Sequence, residues 1–188
     1  MPNTISPDDD ATALQPLIWD HETEQVPASG LGVKRAATDA ERAALATALG
    51  ILSCDALQVS YRLSRAPDEG YRLKGKLTAD VVQACVVTLA AVHDTVSADF
   101  VVEFRPEEEV RRAEGGAVDL EEDTEIEPID GTVMAVGRVV FEELAAALNP
   151  YPRRPGAEFA APAVDPKETE AIAKEHPFAV LAKLKQPK

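Results

Sequence analysis

The feature that most constrains the fold is an alternation of apolar and polar residues in the middle of the chain. Every second residue from Leu57 to Leu63 is apolar, and the residues between them are polar. A similar pattern follows in Tyr71–Leu77, after a turn at Pro67–Gly70, and again in Val92–Phe104. Since side chains point alternately to the two faces of a strand, each run predicts a β-strand with one buried face.

The segment Val81–Leu89 has a different pattern, because most of its consecutive residues are apolar. It predicts a further strand that lies in the middle of the sheet with both faces covered. Four consecutive strands with short links indicate an antiparallel sheet or an open barrel.

Two segments predict helices that pack on this sheet. Thr38 and Glu41 have the spacing of a capping box, and Gly50 is placed to end that helix. The second helix begins at Asp130 or Thr132. Its expected buried stripe consists of Val133, Val136, Val140, Leu144 and Leu148. The predicted fold class is therefore α+β, with two to three helices packed on an antiparallel sheet or open barrel.

The length of the chain suits a single domain, which we expect over residues 13–164. The preceding residues 1–12 are polar and are expected to be disordered. Residues 105–125 contain nine acidic residues and three arginines, so we expect an irregular acidic loop there. Residues 165–188 are expected to form a helical tail that combines apolar and basic side chains.

The composition restricts the class of partner. The chain carries 33 acidic and 19 basic residues, which gives a net charge of −14 at pH 7. This balance argues against nucleic-acid binding over the whole surface, because phosphate contacts need concentrated lysine and arginine. It fits a basic partner. With two cysteines, no long apolar run and no signal-peptide pattern, we expect a cytoplasmic protein with reduced thiols and no membrane partner.

The sequence offers little for catalysis or metal binding. No arrangement of a nucleophile with a base stands out, and His21, His93 and His176 are scattered without ligand spacing. We therefore expect no enzymatic activity, no cofactor, no bound metal and no small-molecule substrate. Cys85 lies in the apolar segment and is expected to be an inert, buried thiol on a strand.

The proline-rich segment after the second helix, Asn149–Gly156, is a first candidate for partner binding. Its prolines stiffen the backbone that displays Tyr151, Arg153 and Arg154. Aromatic and arginine side chains dominate binding hot spots. The alternative is a helix terminator folded back on the sheet, in which Tyr151 serves as packing.

The tail HPFAVLAKLKQPK, His176–Lys188, is a second candidate. Phe178, Leu181 and Leu184 recur every three residues, so they share one face of a short helix that also carries lysines. We interpret this tail as an interaction peptide. The alternative is a tail that docks on its own domain.

Three stretches of the chain follow one another in the order and spacing of a known family. They are LKGKLTADVVQACVVTLAAV (Leu73–Val92), IDGTVMAVGRVVFEELAAALNPYPRRPG (Ile129–Gly156) and the tail. The chain thus resembles the YceD family of bacterial and plastid proteins, and the resemblance implies a role in accumulation of large-subunit ribosomal RNA. It also implies a CxxC pair of the kind that holds zinc, but Thr88 stands where the second cysteine would be.

These observations together predict a non-catalytic factor in large-subunit ribosome biogenesis. We expect it to promote accumulation of large-subunit ribosomal RNA by binding a basic ribosomal protein or assembly factor. The alternative is an RNA-binding module that contacts precursor ribosomal RNA through a local basic patch. The residues of that patch are Arg72, Lys74, Lys76, Arg153 and Arg154.

Overall fold

The computed structural model describes residues 15–66, 70–114 and 125–159 of the chain. The chain divides into two units, of which the first ends at Pro155. The second unit begins at Gly156, and only its first four residues are described. No helix in the described ranges combines the length and the apolar character that crossing a membrane requires.

Three long strands contain the alternating residues. They are β3 (Ser53–Arg65), β4 (Tyr71–Ala84) and β5 (Ala91–Pro106), and they pair in antiparallel order as a meander. The registers bring apolar side chains of neighbouring strands side by side, for example Leu63 beside Leu73. The predicted strands of the first three runs are therefore confirmed.

Short strands complete a five-stranded sheet and form a second, smaller sheet. β2 (Leu31–Ala36) pairs antiparallel with β3, and β6 (Glu125–Ile129) pairs parallel with β5. The strand order is β2-β3-β4-β5-β6. β1 (Asp20–Glu22) and β7 (Val133–Ala135) form a separate two-stranded antiparallel sheet. The α+β class is confirmed, with the qualification that one edge of the large sheet is parallel.

Helix α1 (Asp39–Leu49) begins and ends as its sequence predicts. The Thr38 hydroxyl accepts a hydrogen bond from the Glu41 amide at 3.3 Å, and the Thr38 amide donates to the Glu41 carboxylate at 2.7 Å. Gly50 follows in the left-handed conformation with φ 64°. Glu41 also accepts a hydrogen bond from the indole of buried Trp19 at 2.7 Å, so the cap ties the helix to the preceding segment.

The remaining helices differ from the expectations. Helix α2 (Glu107–Glu114) occupies the first half of the segment for which we expected an irregular acidic loop, and β5 extends to Pro106. Three glutamates in its first turn favour helix formation there, because the amino-terminal end of a helix dipole stabilises negative charge. Helix α3 (Val136–Ala147) begins later than predicted, since the residues before it pair with β1.

One face of the large sheet forms the core. The inward side chains of β3, β4 and β5 pack against the segment around Trp19 and against helices α1 and α3. At Gly75 the Phe100 ring lies so close that an added Cβ would be 2.4 Å from ring atom Cζ. The buried residues on the helical side are Leu17, Trp19, Val26, Leu45, Met134, Val136, Val139, Val140 and Leu144.

The opposite face of the meander is mostly polar and exposed, although Glu103 on this face is buried. It carries Ser60 and Arg62 on β3, Lys74 and Lys76 on β4, and Asp99 on β5. No described helix contributes a buried residue to this face. Within the described residues, the sheet therefore has helices on one face only, and we call the other face the open face.

The predicted fourth strand is wrong. Val81–Ala84 are the end of β4, and Cys85–Leu89 form the turn that leads into β5. The Cys85 amide donates to the Ala90 carbonyl and the Leu89 amide to the Cys85 carbonyl, at 2.8 and 2.9 Å. The hairpin turn therefore lies within a run of apolar residues. It could not be predicted from hydrophobicity, which does not indicate the left-handed φ of 58° at Leu89.

Candidate functional site

The segment that follows α3 is held against the end of the β4–β5 hairpin. We call Asn149–Pro155 the exit segment. Its start is closed by a hydrogen bond from the Tyr151 amide to the Asn149 side-chain oxygen at 2.9 Å. The Asn149 carbonyl accepts from the Gln83 side-chain amide at 3.0 Å, and the Val86 amide donates to the Pro152 carbonyl at 2.9 Å. These bonds fix the backbone of the exit segment on the sheet.

Tyr151 projects from this fixed backbone into solvent. Its side chain is 73% exposed, whereas the neighbouring Pro152 is buried. Arg153 and Arg154 are also exposed. The segment therefore folds back on the sheet, as the alternative interpretation proposed, but Tyr151 does not serve as packing.

The hairpin turn beside the exit segment adds exposed apolar side chains. Val86 is 47% exposed and Leu89 is 77% exposed. Leu89 also adopts a positive φ of 58°, which costs a residue with a Cβ about 1 kcal/mol or more. We call the set formed by Tyr151, Arg153, Arg154, Val86 and Leu89 the exit surface. The sequence did not single out Val86 and Leu89, because both were assigned to a covered strand.

Cys85 lies under the exit segment and is fully buried. The Arg154 amide donates a hydrogen bond to Cys85 Sγ at 3.4 Å. This bond and those from Thr88 and Val87 lower the pKa of the Cys85 thiol to about 6, although burial opposes the shift. The prediction for Cys85 is thus confirmed as to burial and wrong as to position, since the residue stands in the turn, and the expected inertness of the thiol stays a prediction.

The residues around Cys85 do not fit a zinc site. Zinc in proteins takes thiolate, imidazole or carboxylate ligands. Thr88 offers a hydroxyl instead, and it accepts a hydrogen bond from the Ala90 amide at 3.4 Å. In the described ranges, none of the groups of three potential ligand side chains includes Cys85. The absence of a bound metal stays a prediction.

One group of carboxylates does lie together on the other side of the molecule, formed by Glu125, Glu127 and Glu142. Arg138 lies among them and forms ion pairs with Glu127 and, at 3.9 Å, with Glu142. Its guanidinium supplies positive charge to this cluster. The cluster is therefore a structural connection between β6 and α3.

The predicted basic patch is divided in the structure. Arg72, Lys74 and Lys76 stand on the open face of β4, near the β3–β4 turn. Arg153 and Arg154 lie beyond Ala84, at the opposite end of the same strand. Ten residues of strand separate Lys74 from Ala84, roughly 30 Å at the usual rise per residue. The prediction of one local patch from these five residues is therefore wrong.

The three tail residues proposed for partner binding, Phe178, Leu181 and Leu184, lie outside the described residues. The same holds for the predicted helix over residues 165–188 and for the expected disorder of residues 1–12. These assignments stay predictions.

Comparison with known proteins identifies the family. A family model described as "Large ribosomal RNA subunit accumulation protein YceD" matches residues 73–185 of the chain. This match covers more than half of the chain and includes β4 from Leu73 onward, β5, α3 and the exit segment. No curated protein and no solved structure matches. The resemblance seen in the sequence is confirmed.

Proposed function

We propose, since the chain belongs to the YceD family, that it promotes accumulation of large-subunit ribosomal RNA as a non-catalytic cytoplasmic factor. Its direct partner in this proposal is a basic ribosomal protein or assembly factor, and the exit surface is the contact site. The observation that carries the proposal is a 73% exposed Tyr151 on a backbone that hydrogen bonds hold to the hairpin.

A fixed backbone makes an exposed aromatic side chain suitable for binding. Association must offset the entropy lost when side chains and loops become ordered. Here the backbone of the exit segment is already ordered by bonds to Gln83 and Val86. The freedom lost on binding would therefore be mainly that of the side chains of the exit surface. Val86 and Leu89 add exposed apolar area to the contact. Removing this area from water on binding stabilises the complex.

The charge of the molecule supports a basic partner. The net charge is −14. Toward the hairpin end of the sheet, the exposed residues Asp55, Asp80 and Asp94 line one shallow depression. Such carboxylates attract a basic protein at long range and raise its association rate. The exit surface would then supply the short-range contact.

The proposal is tested by replacing Tyr151 with alanine. We expect Tyr151→Ala to weaken binding of the partner by about 1–3 kcal/mol, roughly 5- to 150-fold in Kd, because the largest exposed anchor is lost. The partner is first isolated by affinity pull-down from native lysate treated with RNase, and the Kd of each variant is then measured with the purified partner.

The matched control is Ile18→Ala. Ile18 is 75% exposed, much like Tyr151, but lies in the amino-terminal segment. We expect its removal to leave the Kd unchanged. Equal affinities of Tyr151→Ala and the unmodified protein would contradict the proposed contact site, and loss of every partner after RNase treatment would contradict a protein partner.

A further inference from the structure

We propose that the open face of the large sheet, near the β3–β4 turn, binds the phosphate backbone of double-helical RNA. Four exposed cations form this basic face: Lys34, Arg62, Lys74 and Lys76. The choice of RNA as the polyanion rests on the proposed role in ribosomal RNA accumulation. The phosphate chemistry rests on the face itself.

Strand register brings the four cations together from three strands. Lys34 on β2 pairs with Ser60, and Ser60 pairs with Lys76 on β4. In the adjacent row Arg62 pairs with Lys74. Because neighbouring strands lie about 4.8 Å apart, the four side chains originate from an area about 10 Å across. Lys34 and Arg62 are far from Lys74 in sequence, so the chain alone did not reveal this group.

The positive charge of the basic face is largely uncompensated. Lys76 lies 4.0 Å from the Asp99 carboxylate, which offsets one of the four positive charges and leaves three. Arg62 donates a hydrogen bond to the Ser29 carbonyl, which leaves its charge in place. Within the described part of the chain, Lys34 and Lys74 form no salt bridge.

Arg72 lies on β4 next to Lys74 and Lys76, but it is not counted in the basic face because it binds a carboxylate of the fold. Its guanidinium donates twice to one oxygen of Glu103, at 2.6 and 3.1 Å, and Arg105 holds the other oxygen at 2.7 Å. Arg72 is therefore engaged within the fold. We therefore leave Arg72 out of the basic face, which consists of the four cations that are not paired with a buried carboxylate.

The acidic character of the whole molecule does not cancel this local charge. Asp80, the first carboxylate after Lys76 on the same strand, is four residues away, roughly 13 Å along the strand. At physiological salt the Debye length is about 8 Å. A phosphate at the basic face thus interacts more strongly with the four cations than with the distant carboxylates.

The shape and composition of the face favour the backbone of a duplex over single-stranded bases. A shallow depression of about 480 Å³ between β2 and β4 is lined by Lys34, Ser60, Lys76 and Thr78, among others. Among the described residues, the side chains around the cations on the open face, such as Ser60 and Val101, are not aromatic. Proteins that hold single strands stack bases on aromatic side chains. Without them, contact falls on phosphates and 2′-hydroxyls, which suits a helix.

The test is a binding titration of the full chain with a labelled RNA duplex of about 20 base pairs, followed by fluorescence anisotropy from 50 to 200 mM KCl. With about three phosphate contacts we expect affinity to fall about 40-fold over this range, because each contact contributes nearly one to the salt slope. Lys34→Gln/Lys74→Gln should bind about tenfold more weakly at 100 mM KCl and show a slope smaller by about two.

The matched control is Arg153→Gln/Arg154→Gln, which removes the same charge at the other end of β4. We expect its affinity for RNA to change less than twofold. The inference is overturned by undetectable binding of the unmodified protein at 50 mM KCl, by equal losses in the two variants, or by displacement of the RNA by polyglutamate at equal charge concentration. Melting temperatures of both variants confirm that they fold.

RNA binding by the basic face and protein binding by the exit surface can be tested independently. Tyr151→Ala should retain RNA affinity, and Lys34→Gln/Lys74→Gln should retain the protein partner in RNase-treated lysate. Loss of RNA affinity in Tyr151→Ala would overturn the assignment of RNA to the basic face.

Discussion

Glu103 shows how one buried charge organises the residues around it. It is a carboxylate with only 10% of its side chain exposed, and it receives guanidinium groups from Arg72 and Arg105. These hydrogen bonds, from Arg105 first and then from Arg72, lower the pKa of the Glu103 carboxyl below its ordinary value of 4.5, while burial opposes the shift. A group with a lowered pKa adds stability above its unfolded pKa and loses it as the pH falls.

We therefore expect Glu103→Gln to lower the free energy of unfolding by about 1–3 kcal/mol at pH 7, since charge-assisted hydrogen bonds are lost. The difference between variant and unmodified protein should shrink as the pH falls from about 4.5, the ordinary pKa that Glu103 has in the unfolded chain, through its lowered pKa in the folded protein. Urea unfolding at several pH values measures this. Asp99→Asn is the control, because its exposed ion pair with Lys76 contributes little. A difference independent of pH would contradict the assignment.

At the scale of elements, the sequence predicted best those helices and strands whose boundaries depend on residues close together in the chain. The cap of α1 depends on residues three apart, and the meander on strict alternation, so both were visible in the sequence. The late start of α3 was not, because Val133 and Met134 pair with β1 from the other end of the domain. The basic face escaped prediction for the same reason, since Lys34 joins Lys76 only through the register of three strands.

The hairpin turn is the element where strain and exposure coincide. Leu89 has a positive φ and is 77% exposed, so its side chain adds strain and little packing. We expect Leu89→Gly to raise the free energy of unfolding by up to about 1 kcal/mol, because the strain that glycine removes, about 1–2 kcal/mol, exceeds the roughly 0.5–1 kcal/mol that its freedom in the unfolded chain costs. The same variant should weaken partner binding at the exit surface. Chemical denaturation and the pull-down with the purified partner measure the two effects.

Leu52→Gly is the matched control for this prediction. Leu52 is 56% exposed and has no positive φ. Glycine there should lower stability, because it increases the freedom of the unfolded chain. If both variants lost stability to the same extent, the left-handed strain at Leu89 would not be the relevant factor.

At the scale of the molecule, opposite charges are separated on one sheet. The basic face lies toward the β3–β4 turn, and the carboxylates Asp55, Asp80 and Asp94 lie closer to the β4–β5 hairpin. A uniformly acidic protein would repel RNA at every approach. Because of this separation, RNA can approach the cations of the basic face while a basic protein is attracted to the carboxylates at the other end of the sheet.

The pairing of β1 with β7 has a consequence for the order of folding. It joins Asp20 to Ala135, 115 positions apart, whereas the meander joins neighbouring segments. Closing so long a loop is entropically costly until the meander has shortened it. We therefore expect β1–β7 to form last and to open first. Native-state hydrogen exchange should show the amides of these strands exchanging well before those of β4, and equal protection would contradict this order.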